Sequence, residues 1–210
     1  MIAAILAVLV VFGLLMISEY LWRIRKIRSE FTRKFVHITV GTFVAFWPFF
    51  LSWHYIELLS VAFLVVVSFS RLLYIFHSIH RVPRKTHGEV LFAIGVGATA
   101  LITHEPWVFM VAILHLSLAD GLAAVVGTHY QRPGKYKVLN HTKSVLGTLT
   151  FWLVSVLILS VYVLLHGPRD LWPVIIWLPP LAALIENIGI GGSDNLLVPV
   201  VVAVVLRLVS

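Results

Sequence analysis

Residues 107–165 read WVFMVAILHLSLADGLAAVVGTHYQRPGKYKVLNHTKSVLGTLTFWLVSVLILSVYVLL. Two apolar runs, 107–127 and 145–165, flank a glycine-punctuated basic loop. Each run approaches the roughly 20 residues of helix that cross a bilayer core, so the stretch reads as span, loop, span. Asp120 interrupts the first run. A carboxylate at membrane depth is costly, so it belongs either to a structural ion pair or to a site. The loop carries Arg132, Lys135 and Lys137 and closes on Lys143-Ser144. Cationic groups and free backbone donors of this kind suit a phosphate-bearing ligand.

The remaining chain extends the pattern. Over 210 residues, 60% are hydrophobic and 12% charged, with a mean hydropathy of +0.99. Soluble domains are about one quarter charged, so an integral membrane protein is expected. Further apolar segments at roughly 1–22, 35–53, 55–76, 89–103, 171–188 and 195–209 give an all-α, polytopic bundle of about 7–8 transmembrane helices. No linker, repeat or low-complexity stretch divides it, and 1–210 reads as a single transmembrane domain. The first segment reads as a retained span, because it lacks a basic leader, runs past Leu15 and offers no small-residue cleavage site before Glu19. Several spans look interrupted: Gly95 and Gly97 fall in the fourth, which is short enough to be tilted or re-entrant, and Pro179-Pro180 is expected to break the seventh. The absence of cysteine excludes disulfides and thiol chemistry.

Charge distribution orients the bundle. With the N-terminus outside, fourteen of the sixteen Lys and Arg residues fall in internal loops or just inside them, leaving Arg169 and Arg207. This asymmetry marks the cytoplasmic side, and the net charge of +7 reflects topology and anionic lipid rather than nucleic acid. Trp47, Trp53, Trp107 and Trp172 fall at external ends, where interfacial anchors belong.

The acidic residues divide in the same way. Glu57, Glu105 and Asp170 lie at external ends, whereas Glu19, Glu30, Glu89, Asp120, Glu186 and Asp194 share the cytoplasmic half. Asp120, Ala123 and Gly127 form one small-residue helix face. Residues 186–195, ENIGIGGSDN, set two carboxylates about a glycine-rich break. Hard oxygen ligands there suit Mg²⁺, while Asp194 alone would also serve as a helix cap. Arg33, Lys34 and His37 begin the second span, with His37 one turn inside it. His115 and Ser117, close to Asp120, are expected to face a polar cavity. His77, His80 and His87 fit no zinc spacing. Neither a G-x-S-x-G elbow nor a P-loop occurs.

Four motifs in one order carry a resemblance: R-K-x-x-H at 33–37, D-G-x-A-x-x-x-G at 120–127, K-S-x-x-G-T at 143–148 and E-N-x(6)-D-N-x-x-x-P at 186–199. The chain resembles the CTP-dependent lipid-alcohol kinases (dolichol, phytol and farnesol kinases and the yeast-type diacylglycerol kinase), a family similar to phosphatidate cytidylyltransferase. The resemblance implies transfer of the γ-phosphate of CTP, with Mg²⁺, to a membrane lipid alcohol at the cytoplasmic face. It maps the family's Asp to Asp120, its Lys-Ser to Lys143 and Ser144, and its late carboxylates to Glu186 and Asp194. One departure is Leu146, where family members often carry an acid.

The physical reading runs parallel. Phosphoryl transfer depends on positioning and charge neutralisation. Asp120, Glu186 and Asp194 are the candidate Mg²⁺ ligands, one of them a proton acceptor, and Asp120, Lys143 and Asp194 the catalytic candidates. Lys143 and the Arg132, Lys135 and Lys137 loop would neutralise phosphates. Arg33, Lys34, His37, Ser144 and Asn195 complete the set, with Gly127 and Gly147 allowing close backbone approach. Two rivals share the starting point: a CDP-lipid synthase of the cytidylyltransferase kind, and a small membrane transporter, which predicts midplane charges and access from both sides. The partners expected are the bilayer, CTP and the lipid alcohol.

Overall fold

The structure is a computed structural model that describes residues 1–25, 29–72, 87–130, 134–139, 141–166 and 171–209. Arg132, Asp170, His77, His80 and the basic residues at 81, 84 and 85 lie outside the described residues. The described residues are all-α apart from one short hairpin. The helices are α1 (Ile2–Arg25), α2 (Ser29–Ala45), α3 (Trp53–Leu72), α4 (Gly88–Ile102), α5 (Pro106–Leu114), α6 (Asp120–His129), α7 (Val145–Leu165), α8 (Trp172–Ile188) and α9 (Asp194–Val209). A 3-10 turn at Trp47–Phe49 joins α2 to α3, and a π turn at His115–Ala119 fuses α5 and α6 into one rod. Strands β1 (Lys135–Val138) and β2 (His141–Ser144) form an antiparallel hairpin inside the basic loop.

Among the described residues, four helical rods are long and apolar enough to cross a membrane: Ile2–Ile24, Trp53–Ser70, Pro106–His129 and Val145–Leu165. At about 1.5 Å per residue the 15 residues of α4 reach only about 22 Å. The fused α5–α6 rod is the axis of the bundle. In its most apolar stretch 72% of residues are buried, against 28% in α1, 17% in α3 and 33% in α7. The peripheral helices turn large apolar side chains outward, among them Leu157 and Leu164 on α7 and Ile176 on α8. Such a surface is stable against hydrocarbon and unstable in water. The chain is therefore a membrane protein.

Lipid tails are as apolar as leucine, so helices in a bilayer are held by close packing and polar contacts rather than by exclusion from water. Small residues provide that closeness here. A Cβ on Gly41 of α2 would lie 2.3 Å from Ser117 Cβ, and one on Gly121 of α6 would lie 2.2 Å from Ile38 Cγ1. These two contacts seat α2 directly on the central rod. Gly95 of α4 faces the α9 backbone, where a Cβ would meet the Asn195 carbonyl at 2.4 Å. Gly95 is thus a packing contact inside a continuous α4, not an interruption.

Three sequence expectations are corrected. Pro179-Pro180 does not break α8, which runs unbroken through both residues. The two missing N–H groups cost hydrogen bonds, but neighbouring helices support a proline-bearing membrane helix. Trp47 is buried at 5% exposure rather than interfacial, because the 3-10 corner folds it into the core beside Phe43. His115 and Ser117 are fully buried and do not line the cavity. Each bonds back to its own helix, His115 Nδ1 to the Val111 carbonyl at 2.8 Å and Ser117 Oγ to that of Ile113 at 2.8 Å. Glu105 caps α5, accepting from Trp107 N at 2.8 Å, with Pro106 at the first helical position.

A Gly95→Val substitution should force α4 and α9 apart and destabilise the fold by about 1–3 kcal/mol. Gly13→Val is the control, since a Cβ on Gly13 meets nothing within 4 Å. Thermal unfolding of both variants in lipid nanodiscs checks this, with a loss expected for Gly95 only.

Candidate active site

The helix ends that the sequence places on the basic side converge on one cavity of about 840 Å³. The α2 start brings Arg33, Lys34 and His37; α6 brings Asp120 and Gly127; the α8 end brings Glu186. The N-termini of α4, α7 and α9 also open on it, through Gly88 and Glu89, Gly147 and Thr148, and Asp194 and Asn195. Their partial positive charges point at the same space, a favourable setting for an anion.

Asp120 is 7% exposed and is held by α2. Lys34 Nζ lies 3.2 Å and His37 Nε2 3.1 Å from its Oδ2. His37 Nε2 also donates to the Leu116 carbonyl at 2.7 Å, which fixes the proton on that nitrogen because a carbonyl can only accept. Leu116 belongs to the π turn, where the regular i→i−4 ladder is disturbed, and π turns recur at functional sites. Glu186, also 7% exposed, is held from the other side. Lys143 Nζ donates to its Oε1 at 2.6 Å and to its backbone carbonyl at 3.0 Å.

The hairpin delivers Lys143. Its register pairs Tyr136 with Lys143 and Lys135 with Ser144. Tyr136 Oη, Thr148 Oγ1 of α7 and Asn187 Oδ1 of α8 form a triangle with edges of 2.5, 2.9 and 3.1 Å, in which one hydroxyl donates to the other and the second donates to the amide oxygen. That three-way contact clamps the hairpin to both helices beside the Lys143–Glu186 pair. Ser144 caps α7, accepting from Gly147 N at 3.5 Å. Gly127 and Gly147 face each other, a Cβ on Gly147 meeting the Ala123 carbonyl at 3.0 Å, so they bring α6 and α7 together at the cavity wall.

Carboxylate oxygens of Asp120, Glu186 and Asp194 all lie within 4.8 Å of one another. At such separations each pair of unit charges repels by about 3–4 kcal/mol at an effective dielectric of about 20. Lys34 and Lys143 offset part of this, each on one carboxylate. Asp194 has no lysine in contact among the described residues. Three hard oxygen donors from three helices fit a divalent cation such as Mg²⁺, which prefers one or two carboxylates together with phosphate oxygens.

Of the residues picked from sequence, Arg33, Lys34, His37, Asp120, Gly127, Lys135, Lys143, Ser144, Gly147, Glu186, Asp194 and Asn195 all line this cavity. Lys137 does not; it is exposed on β1. Asn195 also has a scaffold bond, its Nδ2 donating to the Gly88 carbonyl at 2.9 Å. Leu146, the departure from the family pattern, is not among the residues that line the cavity. Sequence reasoning missed Glu89 as a lining residue, and it missed the Tyr136–Thr148–Asn187 clamp. The alternation of Lys135-Tyr136-Lys137-Val138 was the available signal for the strand.

No protein-family model matches the chain, and no solved structure does. A phytol kinase of Synechocystis sp. is 31% identical over 190 residues, which cover 87% of this chain and 80% of that protein.

Replacing Lys34 alone by Met should cost about 3–5 kcal/mol, because it leaves Asp120 buried with a weaker partner. The double variant Lys34→Met/Asp120→Asn should recover most of that loss. A double-mutant cycle on unfolding free energy measures the coupling, and simple additivity would show that the two groups do not act as a pair.

Proposed function

The chain belongs to the lipid-alcohol kinase family, and on that premise we propose that it transfers the γ-phosphate of CTP to the hydroxyl of a long-chain membrane alcohol of the phytol or polyprenol type. The observation that supports this most is the convergence of Asp120, Glu186 and Asp194 within 4.8 Å, with Lys34 and Lys143 on two of them. A phosphoryl-transfer site needs little more than positioned charge of both signs. CTP as donor follows the family resemblance. The bundle is read as multi-pass, with its N-terminus outside and the cavity facing the cytoplasm, on the charge asymmetry of its loops.

In this reading Asp120 and Glu186 would hold Mg²⁺, which when bound supplies charge neutralisation to the phosphates, and Asp194 is left as the base. Lys143 and Lys34 stand within reach of the same space and exchange part of their carboxylate contact for phosphate oxygens. The positive N-terminal end of α7, beside Ser144 and Gly147, adds a favourable field for an anion. The alcohol oxygen attacks the γ-phosphorus as the bond to the β-phosphate bridging oxygen breaks, and CDP departs with that electron pair. The hydroxyl proton passes to Asp194, the carboxylate without a lysine in contact. The polar groups gather at one end of the bundle, whereas a transporter needs them near the midplane.

Purified protein in nanodiscs, given CTP labelled at the γ or at the α position and a phytol-length alcohol, tests the reading directly. Label should enter the organic phase from the γ position only. With phosphatidate supplied in the same nanodiscs, transfer of α label to it with release of pyrophosphate would overturn the reading in favour of a CDP-lipid synthase. Asp120→Asn should lower the rate by about 100-fold or more, and chelation of divalent cations should abolish transfer until Mg²⁺ is restored.

A further inference from the structure

Helices α2 and α3 are consecutive and joined by a tight 3-10 corner, yet among the described residues they do not pack along their length. α2 packs on α1 and the central rod, while α3 packs on α4. Between them runs an apolar limb of the cavity. Val36 and Val40 line it from α2, Phe63, Val66 and Val67 from α3, and Phe92 from α4. Val66 is also 54% exposed, so this limb reaches the outer, lipid-facing surface.

Its inner end meets the charged cluster through a chain of rings. Phe63 stands edge-on to Phe92 with centroids 6.2 Å apart, and Phe92 edge-on to His37 at 5.4 Å. His37 in turn contacts Asp120. One continuous wall therefore passes from an apolar side opening to a carboxylate. A molecule matching both ends has a hydroxyl at one tip and a hydrocarbon chain behind it.

The geometry points to the α2–α3 gap as the seat of the acceptor's hydrocarbon tail, with Phe63, Val66 and Val67 as residues that set which tails fit. This rests on the kinase reading above and deepens it. The acceptor enters sideways from the bilayer, and its tail lies against the two valines of α2 while its hydroxyl stops past His37, between Asp120 and Asp194. Phe92 marks the boundary between the two environments, since it contacts both the His37 imidazole and the Phe63 ring of the apolar limb. α3 suits this role because it is the least buried of the four long rods and is tied to the bundle through α4, where Gly97 approaches Ser60 Oγ.

The test uses the full chain in nanodiscs and a phytol-length isoprenoid alcohol carrying a photoactivatable diazirine on its tail. Irradiation followed by peptide mapping should place adducts on α2 near Val36 and Val40 and on α3 near Phe63 to Val67. Excess unlabelled alcohol should remove them, while adducts on the outward face of α7 around Leu153 should persist as bilayer background. In parallel, Val67→Trp should lower kcat/KM for the phytol-length alcohol by about 10-fold or more, and Leu153→Trp should not. A short isoprenoid alcohol should be phosphorylated equally by Val67→Trp and the parent. Competed adducts on α2 and α3 without any phosphorylation would retain the tail site and reject the kinase reading. Phosphorylation with competed adducts elsewhere, or equal losses for long and short alcohols, would overturn the tail site.

Discussion

Asp120 stays inside an apolar helix because α2 brings Lys34 and His37 to it. A lone carboxylate at that depth would cost several kcal/mol, and a lone lysine opposite would cost as much. Together, and with the Leu116 carbonyl engaging His37, the groups satisfy one another. The arrangement demands that α2 lie against the central rod at a distance only small residues permit, and Gly41 and Gly121 supply that distance. The same logic repeats across the cavity, where Lys143 on its hairpin neutralises Glu186 on α8. Packing and electrostatics are thus one constraint: loosening a glycine contact would separate an ion pair.

The chemistry was legible in the sequence to the extent that it is expensive. Asp120 in an apolar run, the Lys143-Ser144 end of a basic loop and the ENIGIGGSDN break each stand out because a membrane protein does not carry such residues idly. Their convergence on one cavity was legible too, since loop charge placed them at one end. What escaped was local geometry. The π turn has no residue signature, so His115 and Ser117 were expected at the cavity and are instead turned into the core. Pro179-Pro180 signalled a break on grounds that hold in water, where the helix has no neighbours to support it. The Tyr136–Thr148–Asn187 clamp joins residues 12 and 51 positions apart, and no local pattern encodes such a meeting.

Residues singled out for ligand chemistry often have a second task in the scaffold. Ser144 caps α7, Asn195 ties α9 to the first turn of α4, and Gly127 and Gly147 join α6 to α7. Each of these contacts lies at the cavity wall. A site assembled from helix ends needs those ends fixed, because fraying is greatest in the first and last turns. The residues that face the cavity are therefore also the ones that stop its walls from moving.

The π turn at His115–Ala119 has a consequence for the grammar of the central rod. A π turn amounts to one residue more than a regular α-helix would place in the same length. Each residue turns an α-helix by about 100°, and the wider π turn takes up the extra one, so the helix after it keeps its direction while the sequence pattern slips by one residue. Val108, Val111 and Ala112 face the core before the turn, and Asp120 faces the cavity after it. The two halves of the rod thus obey different phases, one set by packing and one by chemistry. Removing a single residue between 115 and 119 would let the rod close into a regular α-helix with Asp120 still toward Lys34, but would remove the widened turn that presents the Leu116 carbonyl to His37.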